Sequence, residues 1–399
     1  MADFSHVPLP GLETKPHLQH LTREDLSLHA LFESAQPQPT EEPEDQELVG
    51  SVGGGEAGSK THEHVLQEAL RDKEELAIKH FGFADFGKEK DGPRDVRGKG
   101  RSHPTVESSS SAYCSRAVDR LKKGPANIPS MLCNNEQYVD TDFDGTDQIF
   151  WTDYNSYSSY STYEYYLNSG TYYFRDWDEV YPNANCLDSD GTISFNESLQ
   201  GGAGTCYLMA SLASIGEFPE RVRNVFLTKE KNSAQAIAIR FFIRGKPWIV
   251  TVDEKMLFKY TNPTLVFSKV SADQKSMWAA IIEKAWAKVK GNYLIANGGF
   301  VENGLHYLVG VPVFRYSTAD ITTLAEAEAM FNIIQAADAA NYLMGAGTAG
   351  SGNDQVTNAC GIAESHAYSI LAAFTMTDAN GVAHKCYLIR NPWGVAYYN

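Results

Sequence analysis

The sequence predicts an α+β fold in which an α-helical lobe packs on a β-rich lobe. Stretches with helical spacing of apolar residues dominate the middle of the chain, at 207–218, 276–293 and 324–344. Strand-like runs, "HAYSILAAFTM" and "HKCYLIRNPWG", come last. The length, 399 residues, leaves room for two or three domains and a sizeable core.

Along the chain, residues 1–130 read as a largely disordered extension. "FESAQPQPTEEPEDQELVGSVGGGEAGSK" is rich in Pro, Glu, Gly and Ser and poor in core-forming residues. One helix is expected within it, at 62–81, solvated or partner-binding. His62 and His64 do not make a zinc motif, because Leu66 stands where HExxH needs its second His. Residues 82–130 read as linker, and from 131 aromatic residues and apolar runs become dense.

The Tyr-rich segment 157–174 suits strands or exposed loops. A helix is expected from Tyr207 to Gly216, with Leu208, Leu212 and Ile215 on one side. A hairpin follows through Gly245-Lys246-Pro247. The stripe Trp278, Ile282, Ala285 and Val289 marks an amphipathic core helix. A further helix covers 324–344, before the two final strands.

Composition narrows the function classes. Acidic residues outnumber basic ones by 50 to 34, for a formal charge of −16, the opposite of a general nucleic-acid binder. The basic run Arg94–Arg101 is interleaved with glycine and reads as linker. Six cysteines lie far apart with no CxxC pair, which argues against a zinc knuckle. The N-terminus lacks an apolar signal region, and no run approaches the ~18 apolar residues of a membrane span. A reducing, cytoplasmic location with free thiols is therefore expected.

One segment points to chemistry. In "SLQGGAGTCYLMASLASIGEFPE", Cys206 stands at the start of the predicted helix, six residues after Gln200. A thiol is mostly protonated near its usual pKa of about 8.5, and a helix N-terminus or an imidazolium lowers that value. A thiol nucleophile also needs a base, and the base needs an orienter. Past Cys206 the histidines are His306, His366 and His384. His366 opens a predicted strand, and Asn391 stands at the end of the next. Such a Cys–His–Asn set is papain-like chemistry, with Gln200 Nε2 and the Cys206 backbone N–H as oxyanion donors.

These blocks resemble the protease core of calpains, the papain-fold intracellular cysteine proteases. "QGGAGTCYLMASLASI" and "SHAYSI" resemble two of the family's segments, and "IRNPWG" matches a third. "YVDTDFDGTDQIFW", "PWIVTVDEKML" and "MWAAIIEKAWAKVKGNY" are weaker matches. The resemblance covers about two thirds of the chain. It implies a papain-like two-lobe fold, an α-helical lobe plus a β-barrel-like lobe with the active-site cleft between them. Residues 131–311 would form the Cys lobe and 312–399 the His/Asn lobe, the latter expected to be truncated at its C-terminal end. The implied activity is endopeptidase hydrolysis of protein substrates. Cys206 would be the nucleophile, His366 the base, Asn391 its orienter, Gln200 an oxyanion donor and Trp393 a cover over the His–Asn bond. A catalytically impaired binding or regulatory protein is the alternative, with the N-terminal extension as the candidate partner-binding region.

Thr205, Tyr207 and Ser365 depart from the family's Asp, Trp and Gly, and Thr205 is expected to cap the helix. The chemistry requires no cofactor. The resemblance implies Ca²⁺ as a regulator, with Glu197 and Glu302 as the candidate ligands. Glu302 is the only acid in "GGFVENGLHYLVG", read as the downstream calcium loop. "CLDSDGTISFNE" nearly fits an EF-hand, but Cys186 takes the first ligand position and the fit reads as coincidence. The family's arginine linking the pre-Gln loop to the other lobe is missing near Phe195 and Asn196. Residues 345–361, Gly-rich, are expected to form a flap over the cleft.

Overall fold

The computed structural model describes residues 125–141, 143, 170–187, 193–319, 321–350, 352–358 and 360–394. The helix expected at 62–81, the basic run at 94–101 and Tyr157 to Asn168 of the Tyr-rich segment lie outside the described residues. What is described mixes helices with antiparallel sheets, an α+β architecture.

The first element, α1 (Ile128–Asn134), starts inside the stretch read as linker. Pro129 suits its first turn, and Asn127 Oδ1 accepts the Ser130 N–H at 3.2 Å. β1 (Tyr172–Asp176) runs directly into the short α2 (Trp177–Val180). A 3₁₀ turn, Phe195–Glu197, precedes α3 (Cys206–Gly216), which starts one residue before the expected position. α4 (Pro219–Val225) follows.

The hairpin pairs β2 (Ala236–Ile243) with β3 (Lys246–Asp253). Its turn is Arg244-Gly245, both at positive φ (51° and 70°), so Lys246 and Pro247 already belong to β3. β4 (Lys255–Lys259) then pairs with β1.

α5 (Trp278–Lys290) carries the predicted apolar stripe, yet all thirteen of its residues are buried. Its polar face docks on β3 instead of facing water. Lys284 Nζ donates to Asp253 Oδ1 (2.5 Å), Asp253 O (3.0 Å) and Lys255 O (2.6 Å). Lys288 Nζ donates to Asp140 Oδ1 (2.7 Å), Thr251 O (2.7 Å) and Tyr138 Oη (3.3 Å). Each ammonium has its three donors used, the condition under which a buried lysine is tolerated.

α6 (Val301–Val309) replaces the loop expected around Glu302. Val301, Leu305 and Leu308 fall on one buried face, a helical period inside a stretch read only for its acids. Gly304 lets it approach α3 closely, since a Cβ there would lie 2.3 Å from Ser211 Oγ. α7 (Leu324–Ala339) opens with a capping box between Thr323 and Glu326. The final sheet has the order β5 (Met344–Gly347), β6 (Ala367–Thr377), β7 (Ala383–Arg390), all antiparallel.

The core gathers on α3 and α5, with Trp177, Trp278, Trp286, Tyr207, Phe241 and Phe258 fully buried. Every residue of α3 from Tyr207 to Gly216 is buried, not only the predicted side. It is a central helix, packed against both α6 and β6. Among the described residues no helix is long and apolar enough to cross a membrane.

Candidate active site

Packing of α3 on β6 sets the site. Ser369 Oγ on β6 donates to Ala210 O on α3 at 2.9 Å, and Ser214 Oγ donates to Met344 O at 2.6 Å. These bonds fix the helix that begins at Cys206 against the strand that follows His366 and against its neighbour β5. The backbone N–H of Ala367 is thereby turned to the Cys206 thiol, alongside those of Tyr207 and Cys206 itself.

The sequence expects the helix terminus to lower the thiol's pKa, whereas in the structure the pKa is raised. Burial is the largest cause and outweighs the backbone donors, and the negative charge of Asp354 adds to it. Cys186 lies deeper, and burial pushes its thiol up to about 12.

Thr205 takes the N-cap position without acting as a side-chain cap. Its hydroxyl donates instead to Glu283 Oε1 on α5, and Glu283 Oε2 accepts the Ser268 N–H at 2.7 Å. Burial raises this carboxyl to about 7, so it takes donors from wherever it can reach them. Glu283 thus ties the residue before the thiol to the 268 loop. Sequence reasoning passed over it, since one acid in an amphipathic helix looks solvated.

The structure brings His366 and Asn391 together. The imidazole is buried, and its Nε2 lies 3.0 Å from Asn391 Oδ1, which also accepts the Trp393 N–H at 3.0 Å. With Oδ1 accepting, Nε2 carries the proton and Nδ1 is the basic nitrogen. Nδ1 is buried and has no hydrogen-bond partner among the described residues. Trp393 covers the imidazole, with ring centroids 4.1 Å apart, and Tyr368 meets it edge-on at 5.1 Å. Burial lowers the His366 pKa, while the Asn391 bond and the Asp354 charge oppose it. His306 and His384 are engaged elsewhere: His306 Nδ1 lies 3.0 Å from Val311 O, and His384 pairs with Asp378 at 3.2 Å.

Gln200 is buried, and its backbone N–H donates to Pro392 O at 2.8 Å, joining the pre-Cys segment to the turn that carries Asn391 and Trp393. Its Nε2 donates to Ala203 O at 2.8 Å. An amide NH₂ has two donors, so one remains for an oxyanion. The glycine after it serves the protein's own backbone: a Cβ at Gly201 would sit 1.6 Å from Phe267 O.

The link missing near Asn196 is made from the other side. Arg390, buried at the end of β7, donates from Nη2 to Asn196 O at 3.0 Å. Of the candidate calcium ligands, Glu197 Oε2 accepts from the Trp278 indole, and Glu302 pairs with Arg315 at 3.2 Å. Ca²⁺ takes six to eight oxygens as a rule, and among the described residues no three His, Cys, Asp or Glu side chains converge. The described residues thus do not fit a calcium cage on their own, and no chemical step is routed through one. Asp188 and Asp190 lie outside the described residues, and Cys186, at the first position of the near EF-hand, is part of the core.

Comparison with known proteins bears on this geometry. The family model "Calpain family cysteine protease" matches residues 147–399. The chain is similar to the calpain-type cysteine protease DEK1 of Zea mays, 31% identical over 211 residues, covering 52% of this chain and 9% of that protein. The calpain-type cysteine protease ADL1 of Oryza sativa subsp. japonica gives the same identity and coverage. The calpain-2 catalytic subunit of Homo sapiens is 30% identical over 223 residues, covering 53% of this chain and 30% of that protein. The matched stretch is therefore less than a third of each of these relatives.

Proposed function

Because the chain belongs to the calpain family of cysteine proteases, we propose that it is a cysteine endopeptidase acting on protein substrates in the cytoplasm, with Cys206, His366, Asn391 and Gln200 as its working residues. The Cys-bearing part (131–311) and the His/Asn-bearing part (312–399) are two lobes of a papain-like fold, with the cleft between them and a barrel-like second lobe. The observation that carries the reading is His366 itself. Asn391 takes Nε2, and among the described residues a buried, basic Nδ1 is left with no hydrogen-bond partner, beside a strand whose first N–H faces the Cys206 thiol.

Burial raises the thiol's pKa and lowers the imidazole's, which disfavours an ion pair at rest. Nδ1 takes the thiol proton as Sγ attacks the peptide carbonyl carbon. The oxyanion accepts from Gln200 Nε2 and the Cys206 backbone N–H. The C–N bond breaks, the amine leaves with the Nδ1 proton, and the acyl group stays on Sγ. Water then gives a proton to Nδ1 and attacks the thioester. The S–C bond breaks and Sγ recovers the proton. Asn391 keeps Nε2–H aimed, and Trp393 keeps competing water from that bond.

Calcium enters only as a regulator, with Glu197 and Glu302 as ligands to be tested. The test of function is hydrolysis of a fluorogenic peptide by wild type and Cys206→Ala, each with calcium and with chelator. We expect activity in wild type alone; equal rates in both proteins would sink the mechanism. The raised thiol pKa favours a second reading, a calpain-like regulatory protein with impaired catalysis whose partners bind the N-terminal extension. Labelling with a thiol-directed electrophile separates the two: Cys206 reacting much faster than Cys360 and Cys186 supports the enzyme.

A further inference from the structure

We propose that Asp354, carried on the loop before His366, is a positioning residue for the base: its carboxylate lies on the Nδ1 side of the imidazole, opposite Asn391, and holds His366 in place whenever Nδ1 bears a proton. The inference rests on the reading of His366 as the base.

Asp354 Oδ2 is 4.0 Å from His366 Nδ1, the nitrogen that has no hydrogen-bond partner among the described residues. The imidazole side chain is completely buried, and that of Asp354 is 37% exposed on a stretch whose other described residues, 352–357, are exposed. The carboxylate therefore leans inward from an open loop. Its other oxygen, Oδ1, is 3.1 Å from Gln355 Nε2.

The loop is tied to the residues that lead into His366. Gly352 N–H donates to Ser365 Oγ at 2.8 Å, Glu364 N–H to Val356 O at 2.8 Å, and Asn358 N–H to Ile362 O at 2.8 Å. The same short segment thus positions both the carboxylate and the imidazole. Around His366 stand Asn391 and Trp393 beyond β7, Tyr368 on β6 and Asp354 on the loop; among the described residues Asp354 is the charged group that acts on the ring.

At 4.0 Å the contact is too long for a hydrogen bond to neutral imidazole, which offers no proton at Nδ1 in this tautomer. Once Nδ1 holds the proton taken from the thiol or from water, the ring is a cation and the carboxylate attracts it. Asp354 takes no proton itself. The same charge opposes formation of the Cys206 thiolate.

The test uses the full chain with Cys206→Ala, so that it does not depend on proteolysis. Histidine Cε1–H NMR signals are titrated with and without Asp354→Asn and Asp354→Glu, with His366→Gln giving the assignment. We expect the His366 midpoint to fall in Asp354→Asn and return in Asp354→Glu. Coinciding midpoints in all three chains overturn the proposal. If wild type cleaves no peptide while the midpoint still moves, the endopeptidase reading fails and the Asp354–His366 pairing stands.

Discussion

The two halves of the site are held by different means. The Cys206 half belongs to the core: α3 is buried on every side, and the residue before the thiol is fastened to Glu283 inside α5. The His366 half is held by a few polar contacts and ring contacts from one turn, Asn391 to Trp393, and by Thr348, whose Oγ1 accepts the His366 N–H at 3.0 Å. Cys206 is thus placed by the core itself, while His366, at the start of a strand that α3 positions, takes its ring orientation from this turn. Substitutions near the first should lower stability, and those near the second should lower the rate of a chain that remains folded.

The largest effect is expected on the core side. Lys284→Met leaves Asp253 buried without its 2.5 Å partner and should cost about 3–5 kcal/mol in urea unfolding. A loss below 1 kcal/mol would mean that this side is not held by its buried charges. Glu283→Gln tests the same side through pH. Burial lifts the carboxyl's folded pKa to about 7, above the ordinary value of 4.5. The native state therefore binds the proton more tightly, and this group's contribution is full below pH 4.5 and is lost as pH rises toward 7. The glutamine variant should remove about 3 kcal/mol of that decline, measured as the difference in unfolding free energy between pH 5 and pH 8. Glu254, also raised to about 7, keeps its own share of the slope.

On the base side, Asn391→Ala should lower kcat/KM about a hundredfold with little change in thermal midpoint. A comparable loss of stability would erase the contrast. The acid limb of the wild-type kcat/KM profile should lie below the ordinary histidine value of about 6.5, because burial depresses His366 and the base works only when neutral. A limb above that value would contradict it. The smallest effect is expected at Ser365, which sits at φ 49° where the family has glycine. Ser365→Gly should change stability by less than about 1 kcal/mol, since relief of a left-handed backbone offsets a lost hydrogen bond. Limited proteolysis of the 350–358 loop should nevertheless become faster, because Gly352 loses its anchor.

Much of this was readable from the chain. The helix at Cys206, the hairpin, α5, α7 and the last two strands follow from apolar spacing, which is a local property. The pairing of His366 with Asn391 could be anticipated across 25 residues because β6 and β7 are consecutive antiparallel strands. The misreadings have two causes, a local period masked by an acid and partners distant in the chain. α6 looked like an acidic loop when Glu302 was read and Val301, Leu305 and Leu308 were not. The apolar stripe of α5 is legible, but nothing in the helix announces that Asp253 and Asp140 bury its lysines as well. Thr205 looked like a cap because its competitor for the hydroxyl, Glu283, is 78 residues away.

The sequence by itself determined the residue types that chemistry needs and the elements that present them: a thiol at a helix start, an imidazole at a strand start, an amide at the next strand's end and a glutamine six residues upstream of the thiol. The tertiary structure alone decided their electrical state and company. Burial raises the pKa of the Cys206 thiol and lowers that of the His366 imidazole, and the loop after β5 brings Asp354 to the Nδ1 side of the ring. Spacing along a chain fixes which face a side chain takes, but desolvation and charge depend on what packs against that face, and those neighbours come from residues tens to hundreds of positions away.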